Sequence, residues 1–462
     1  MKKVISNLIL LLAIHFTNLC WCQNIVYPWR AAPAIVKTGE SFEVWFNAAN
    51  DQTVISVVLQ GPYNTVSASN TIEKGSWIYD VTSLNTFNTK ITVKVPKKTP
   101  ADRYDIILNT SAGQVTSLAG VKVIKEYKDN YYILHFSDIH AFQNGYPTTL
   151  DRLSTLVDVA NIINPEIAFN TGDDLYRPNE DRMNELFSGN SIKGTKGLNQ
   201  LNAATFTVVG NHDTDFDNVP EEGFYAEKSK WWNRWWGLQA YNFKYGEGRF
   251  MVINDGWDGF DPTKQIEEAA AWLQNAGKGN FRLGSAHIKD SELLDLDKKV
   301  NLNLVLVGHN NHIANQNPRL FNNKTIQYIV NSMRDNMEFN LYKVNAKTGI
   351  FTTVSGPTGQ VVYVENPIDQ KSPELYKPNL VLNYSNTNDG TVKKNAATII
   401  NKFNFPIEDA RVRFVMPLRS KYTVTKGTVD QSFDGTSAHI VDVSINIGPN
   451  SSTTIDITPS NK

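Results

Sequence analysis

The chain has 462 residues, and setting aside a 22-residue leader leaves 440, too many for one ordinary domain and enough for two to four. Hydrophobic residues make up 41%, aromatics 11% and charged residues 20%, which excludes a disordered chain without the apolar surface to offset its ordering entropy. With 45 basic and 46 acidic side chains the net charge is -1, so no global field draws the protein to nucleic acid or an anionic membrane, and no specific nucleic-acid binding is expected.

Lys2 and Lys3 precede the apolar run Leu8 to Phe16, followed by Cys20, Trp21, Cys22 and Gln23, the order of a secretory signal. That run is shorter than the roughly 20 residues needed to cross a bilayer, and no later stretch is long enough, so the expectation is a cleaved leader and no transmembrane segment. Cleavage after Cys22 makes the protein secreted or periplasmic. Lipid attachment to either cysteine is the competing reading, disfavoured by the bulky Leu19 and Trp21 that precede them. Both cysteines lie in this leader, so the mature chain has no disulfide, thiolate ligand or cysteine nucleophile. A metal site has to be built from His, Asp, Glu and Asn.

Residues 23–125 carry short alternating apolar segments, among them Phe42–Phe46, Val54–Leu59, Ile91–Val95 and Tyr104–Leu108, which predict a small β-sandwich. The stretch Pro100–Gly113 resembles the penultimate strands of an immunoglobulin-like domain. Over 126–355 apolar strands at Ile133–Phe136, Ile167–Phe169, Phe206–Val209 and Leu304–Val307 alternate with helical patterns at Leu150–Ile163, Asn179–Phe187, Thr263–Asn275 and Ser291–Lys299, an α/β region. After a linker near Gly356–Gly359, residues 356–462 return to alternating strands, including Ala397–Asn401, Arg411–Val415 and Ile440–Ile445, which predict a second β-sandwich. No repeat at solenoid spacing and no low-complexity tract is present.

The mature chain has seven histidines, at 135, 140, 212, 287, 309, 312 and 439, and five polar clusters of the central region hold most of them. These are Asp138-Ile139-His140, Gly172-Asp173-Asp174, Gly210-Asn211-His212-Asp213, His287, and Gly308-His309-Asn310-Asn311-His312. Four follow an apolar strand directly, and the weaker run Phe281–Ala286 precedes His287, which places all five at the carboxyl ends of sheet strands, the edge where open α/β sheets bind ligands. Any one cluster alone reads as a turn, a cap or a hydrogen-bonded histidine. Five together, with carboxylates, imidazoles and an amide but no thiolate, point to one or two divalent cations of borderline hardness. His135 within the first strand and His439 in the last β region are read as structural.

The order D-x-H, G-D, G-N-H-D, H, G-H over about residues 131–345 resembles the calcineurin-like metallophosphoesterase superfamily. The segments His135–His140 and Val209–Asp213 carry most of the likeness, and the flanking β regions carry none. The resemblance implies an α/β (α+β) fold, a four-layer αββα sandwich, and a dinuclear centre. Asp138 and His140 would hold the first metal, Asp173 would bridge, and Asn211, His287 and His309 would complete the second. His212 would stay off the metals and protonate or stabilise the leaving group while a metal-bridging hydroxide attacks a phosphomonoester or phosphodiester. Two divalent or mixed-valence ions of Fe, Mn or Zn are the expected cofactors.

The family's last motif is usually G-H-x-H, whereas Asn310 and Asn311 here separate His309 from His312. His312 is favoured as the remaining ligand of the first metal because imidazole binds transition metals better than an amide, with Asn311 the alternative. Tyr176 and Arg177 follow Asp173 at spacings similar to a tyrosinate ligand and a phosphate-binding arginine of two family branches; a packed tyrosine and a solvated arginine are the favoured readings. Trp231, Trp232, Trp235 and Trp236 fall on one broad helical face and are read as packing of a lid or cap, with an aromatic wall beside the metals as the sharper option. The expected substrate is a small-molecule or headgroup phosphate ester chosen by loops such as Glu221–Gly237, and the flanking sandwiches are expected to position the enzyme or contact a cell-surface ligand. The rivals are a cell-surface binding protein with structural metals, against which the uncoordinated His212 argues, and a metal-dependent hydrolase of a non-phosphorus ester.

Overall fold

The computed structural model describes residues 25–79, 85–214, 232–255, 261–288, 291–309, 317–322, 324–367 and 376–460. The leader with Cys20, Cys22 and Gln23, the segment Asn310 to His312, Trp231, and most of Glu221–Gly237 lie outside the described residues.

In the N-terminal unit the strands Ser41–Phe46 and Asp102–Thr110 turn every second residue inward, as period-two alternation requires. Phe42, Val44 and Phe46 of one strand meet Tyr104, Ile106 and Leu108 of another in a single core. Eight strands form one hydrogen-bonded path. The 14-residue strand Thr65–Ile78 serves both halves of it, pairing first with Val54–Gln60 and further along with Thr86–Lys94.

The central unit runs, in chain order, β1 (Asn130–Phe136), α1 (Thr149–Ile163), β2 (Ile167–Asn170), α2 (Glu180–Ser188), β3 (Ala204–Thr207), β4 (Tyr241–Tyr245) and β5 (Gly248–Val252). It continues with α3 (Pro262–Ala276), β6 (Phe281–Ser285), α4 (Ser291–Val300), β7 (Leu304–Val307), β8 (Arg319–Asn322), β9 (Thr325–Ile329), α5 (Met333–Asn336), β10 (Glu338–Asn345), β11 (Ile350–Thr353) and β12 (Gln360–Val362). The helices begin and end where local chemistry dictates. Asn179 caps α2 by accepting the Arg182 N–H, Asp261 caps α3 beside Pro262, and α1 ends on a left-handed Asn164 just before Pro165.

Two sheets result. The first has the order β3-β2-β1-β10-β11, with β12 also on β10; the second has the order β4-β5-β6-β7-β9-β8. Strands β1, β2 and β3 are mutually parallel, as are β5, β6, β7 and β9, so their carboxyl ends share one edge in each sheet. Ile133, Phe169, Phe206 and Tyr342 of the first sheet pack with Phe250, Leu283, Leu304 and Leu306 of the second. On the other sides α1 covers Leu134 and Phe136, while α3 and α4 cover Val305 and Val307.

The strand expected at Phe206–Val209 is instead Ala204–Thr207, because Val208 and Val209 already belong to the turn that brings Gly210 against Asp173. Strand β10 was not among the expected strands; its apolar residues change phase between Leu341 and Tyr342 because it is central and mostly buried on both faces. Gly356 and Gly359, expected in a linker, adopt φ of 111° and 76° and turn the chain back so that β12 pairs with β10.

The C-terminal unit stacks a four-stranded sheet (Leu380–Tyr384, Asn395–Asn401, Ser451–Pro459, Tyr422–Val424) on a three-stranded one (Ile407–Met416, His439–Ile447, Thr428–Asp434). Its core is continuous with that beneath α1, where Ile399, Val412 and Phe414 join Leu153 and Leu156 in one cluster. The N-terminal unit is held to both others. Tyr241 donates to the Ala31 carbonyl at 2.7 Å, and Asp102 pairs with Arg413 at 2.7 Å, which also binds Asp442 at 2.7 Å. Burial would raise the Asp442 carboxyl, but Arg411 and Arg413 outweigh it and hold it well below its usual 3.8. A depressed carboxylate pKa stabilises the fold at pH above the unfolded value and is lost as pH falls below it. Asp442→Asn is therefore expected to cost about 1–3 kcal/mol at neutral pH, by removing the charge that binds two partly buried guanidinium groups, of which Arg413 keeps Asp102, and to flatten the acid limb of the stability curve. Denaturant titrations of both proteins from pH 7 down to pH 3 check this; an unchanged midpoint at pH 7 would remove the network from the account.

Candidate metal centre

The five polar clusters all emerge from carboxyl ends of parallel strands: Ser137–His140 after β1, Thr171–Asp174 after β2, Val208–Asp213 after β3, His287 after β6 and Gly308–His309 after β7. Main-chain hydrogen bonds weld them together. Asp138 N–H donates to Gly172 O, His140 N–H to Asp173 O, and Gly308 N–H to His287 O, each at 2.9 Å. The motif glycines permit this approach. A Cβ on Gly172, at φ 90°, would lie 2.7 Å from Gly210 N, one on Gly210 would collide with the Asp173 amide, and one on Gly308 with the Ser137 hydroxyl.

Asp138, His140, Asp173 and His309 have φ of 55°, 46°, 58° and 56°, a left-handed backbone that non-glycine residues rarely adopt. Such conformations persist only where the surroundings over-determine them, and they gather at functional sites.

Two groups of donor atoms result, His140–Asp173–His212 and Asp173–His287–His309, each within 4.8 Å, and Asp173 belongs to both. Asp173 Oδ2 lies 3.6 Å from His140 Nε2 and 3.3 Å from His287 Nε2, and His287 Nε2 lies 3.2 Å from His309 Nδ1. Asp138 Oδ1 is 3.4 Å from His140 Nε2, while its Oδ2 accepts the His309 N–H at 3.0 Å. His287 Nδ1 sits 2.5 Å from the Thr171 carbonyl, which can only accept, so Nδ1 carries a proton and Nε2 is the atom that faces Asp173 and His309.

Burial opposes charge on these groups, and their partners restore it. Burial raises the Asp173 carboxyl, but His287 and His140 outweigh it and hold it well below the usual range. Burial lowers His287, yet the Asp173 and Asp138 carboxylates carry it up to about 10. Asn211 Oδ1 is buried without a hydrogen-bond partner, an acceptor that a cation would satisfy. The residues therefore fit the divalent cations expected of a thiolate-free site.

His212 is half-buried; its backbone N–H donates to Asp173 Oδ1 at 2.8 Å, and its ring lies 5.1 Å from that of His140 and 5.6 Å from that of Tyr176. Tyr176 is thus a packed neighbour of His212, and Arg177 is exposed with its guanidinium over the Tyr176 ring. His135 is fully buried against Thr171 Oγ1 at 3.0 Å, and burial lowers its pKa to about 3, a neutral structural residue. Trp232, Trp235 and Trp236 are buried with Phe187 in the core beneath α1 and form no aromatic wall. Of the expected ligands only His312, with its rival Asn311, lies outside the described residues.

Sequence reasoning passed over two supports. Asp213, fully buried, accepts the N–H groups of Asp173 (2.8 Å), Asp174 (2.8 Å), Leu175 (3.2 Å) and Gly210 (3.1 Å), fixing two of the five loops against each other. Its place directly after His212 in the third cluster was the available signal. The second support is the turn at Ser332–Arg334. Ser332 Oγ and the Arg334 N–H both donate to the Asp138 carbonyl, and the Arg334 carbonyl in turn accepts from the buried Arg152 of α1. Nothing in the local sequence marks it.

Residues 131–312 match the family model described as calcineurin-like phosphoesterase. No curated protein matches the chain. Among solved structures, the chain is 16% identical to the SGBP-B protein of the Bacteroides ovatus mixed-linkage glucan utilization locus, over 22% of this chain and 23% of that one, with a TM-score of 0.15. An amylomaltase from Corynebacterium glutamicum is 10% identical over 37% of this chain and 23% of its own, with a TM-score of 0.16. The chain thus spans about a quarter of the length of these two. A putative alpha-galactosidase from Bacteroides fragilis is 9% identical over 94% and 98% of the two chains, with a TM-score of 0.22.

Proposed function

The chain contains a calcineurin-like phosphoesterase domain over residues 131–312, and from that premise we propose that the protein is an exported hydrolase of phosphomonoesters or phosphodiesters with a dinuclear metal centre. The observation that carries the reading is the position of Asp173, beside His140 with Asp138 on one side and beside His287 and His309 on the other, where its carboxylate would serve two cations. Asp138 and His140 would hold the first, joined by His312, and Asn211, His287 and His309 the second. Donors of this hardness suit Fe, Mn or Zn. Cations held by these residues would supply positive charge against a phosphate ester and would make water acidic enough to attack near neutral pH.

The protein's own groups do the rest. Thr171 fixes the tautomer of His287, Asp213 fixes the Asp173 loop, and His212, tied to Asp173 through its backbone, presents an imidazole at the rim to protonate or stabilise the leaving oxygen. The two sheets with helices outside each support a four-layer αββα sandwich. Tyr104, whose hydroxyl donates to the Pro100 carbonyl at 2.8 Å, supports an immunoglobulin-like N-terminal unit by forming a tyrosine corner.

Metal analysis of the mature protein and of His312→Ala, followed by p-nitrophenyl mono- and diesters with each metal, tests the assignment. Two ions per wild-type chain, one in the variant, and metal-dependent turnover are expected. Full occupancy of His312→Ala would move the ligand role to Asn311, and two bound metals without turnover of any ester would refute the hydrolase. Among the described residues no helix is long and apolar enough to span a membrane. The Lys2 to Gln23 pattern supports export, with a mature N-terminus at Gln23 in mass spectra of protein from its own cells; an intact Met1 or a lipidated cysteine would overturn it.

A further inference from the structure

His439 was expected to be structural, yet it lies between a serine and an aspartate. Ser432 and Asp434 are alternate residues of the edge strand Thr428–Asp434, so their side chains leave the sheet on one side. Across the ladder Asp434 pairs with His439, and Ser432 pairs with Val441. The imidazole reaches both neighbours: Nδ1 is 2.7 Å from Asp434 Oδ1 and Nε2 is 2.8 Å from Ser432 Oγ. A carboxylate only accepts, so Nδ1 carries a proton, and in the neutral ring Nε2 turns its lone pair to the serine hydroxyl. The hydrogen bond from His439 holds the Asp434 carboxyl below its usual range, keeping it charged as the orienting group.

The Tyr422 ring, from the other sheet, lies 5.4 Å from the imidazole, and His439 is only 8% exposed, whereas Ser432 is exposed. The serine is open to solvent, whereas the imidazole is enclosed. A hydroxyl, a base within hydrogen-bond reach and a third group orienting that base form the arrangement that activates serine.

We propose that Ser432 is a second, metal-independent nucleophile of this protein, accepting acyl groups from activated carboxylic esters. Ser432 Oγ bonds to the acyl carbon as its proton passes to His439 Nε2. The carbon–oxygen bond to the leaving group breaks, and the proton goes from His439 to the departing oxygen. Water then bonds to the acyl carbon as its proton passes to His439 Nε2, the bond from that carbon to Ser432 Oγ breaks, and the proton returns to Oγ, releasing a carboxylic acid and free Ser432. Because Ser432 stands at an open strand edge, where water screens charge on the acyl oxygen, the substrate class is aryl and similar esters with good leaving groups rather than amides. None of the three residues belongs to the metal centre, so this site stands or falls apart from the phosphoesterase reading.

The full chain, stripped of metal by a chelator, is treated with p-nitrophenyl acetate and with a fluorophosphonate, which bonds to an activated serine with loss of fluoride. One adduct per chain on the Ser432 peptide is expected. Ser432→Ala should abolish adduct and ester turnover, while metal-dependent phosphoesterase activity and the melting temperature stay unchanged. Labelling should slow at least ~10²-fold in His439→Gln and at least ~10-fold in Asp434→Asn, whose exposed position spares the fold. An unmodified Ser432 under conditions that fully label a reference serine esterase would overturn the proposal. So would labelling of the folded Asp434→Asn and His439→Gln proteins at the wild-type rate.

Discussion

His212→Ala should keep both metals while losing roughly 10²- to 10⁴-fold in turnover, the scale of general acid catalysis. The half-buried imidazole stands against the His140 ring at 5.1 Å and is tied to the Asp173 carboxylate by its own main-chain N–H, which survives the substitution. The loss should be small for p-nitrophenyl esters, whose leaving group needs little protonation, and large for alkyl esters. Equal loss across leaving groups would assign His212 to substrate binding or charge stabilisation. Because His212 also falls in the donor group with His140 and Asp173, metal content decides a further point: a variant that loses one ion after desalting would make His212 a ligand.

The second large effect is expected at Asp213. Its four N–H contacts require an acceptor at both carboxylate oxygens, and Asp213→Asn replaces one oxygen by an NH₂ group that faces two donors. Leaving such buried amides unpaired costs about 1–3 kcal/mol each, partly offset by removing a buried charge beside Asp173, so a net loss of about 2–4 kcal/mol is expected. Burial and the Asp173 charge raise the Asp213 carboxyl to about 7, and burial with the Asp213 charge raises its neighbour Asp174 well above its usual value, so negative charge is concentrated in the loop beside Asp173. Loosening that loop should weaken metal binding about 10- to 100-fold, the usual effect of a residue that orients a ligand. Activity should therefore recover in excess metal. Calorimetric metal titration separates the cases: unchanged affinity with reduced stability would leave Asp213 as a purely structural anchor.

The sequence by itself determined the elements whose cause is local. The helix at Leu150–Ile163 ends before Pro165 because proline bars helix in the residue preceding it, and Asn179 and Asp261 mark helix starts because their side chains replace the missing acceptors. The metal-ligand candidates were legible for a similar reason. Parallel strands deliver their carboxyl ends to one edge, so five polar clusters, each after an apolar run, already implied convergence. The tertiary structure alone decided what depends on partners distant in sequence. Strand β10 changes the phase of its apolar residues midway because it is central and mostly buried on both faces, and the Ser332–Arg334 clamp on Asp138 joins residues nearly two hundred positions apart. Trp232, Trp235 and Trp236 share a face in any helix, but only the arrival of Phe187 and the N-terminal segment makes that face core. His439 shows the limit most plainly. Its neighbours Ser432 and Asp434 sit seven and five residues away, and only the ladder register, which a one-residue slip would invert, turns all three to the same side.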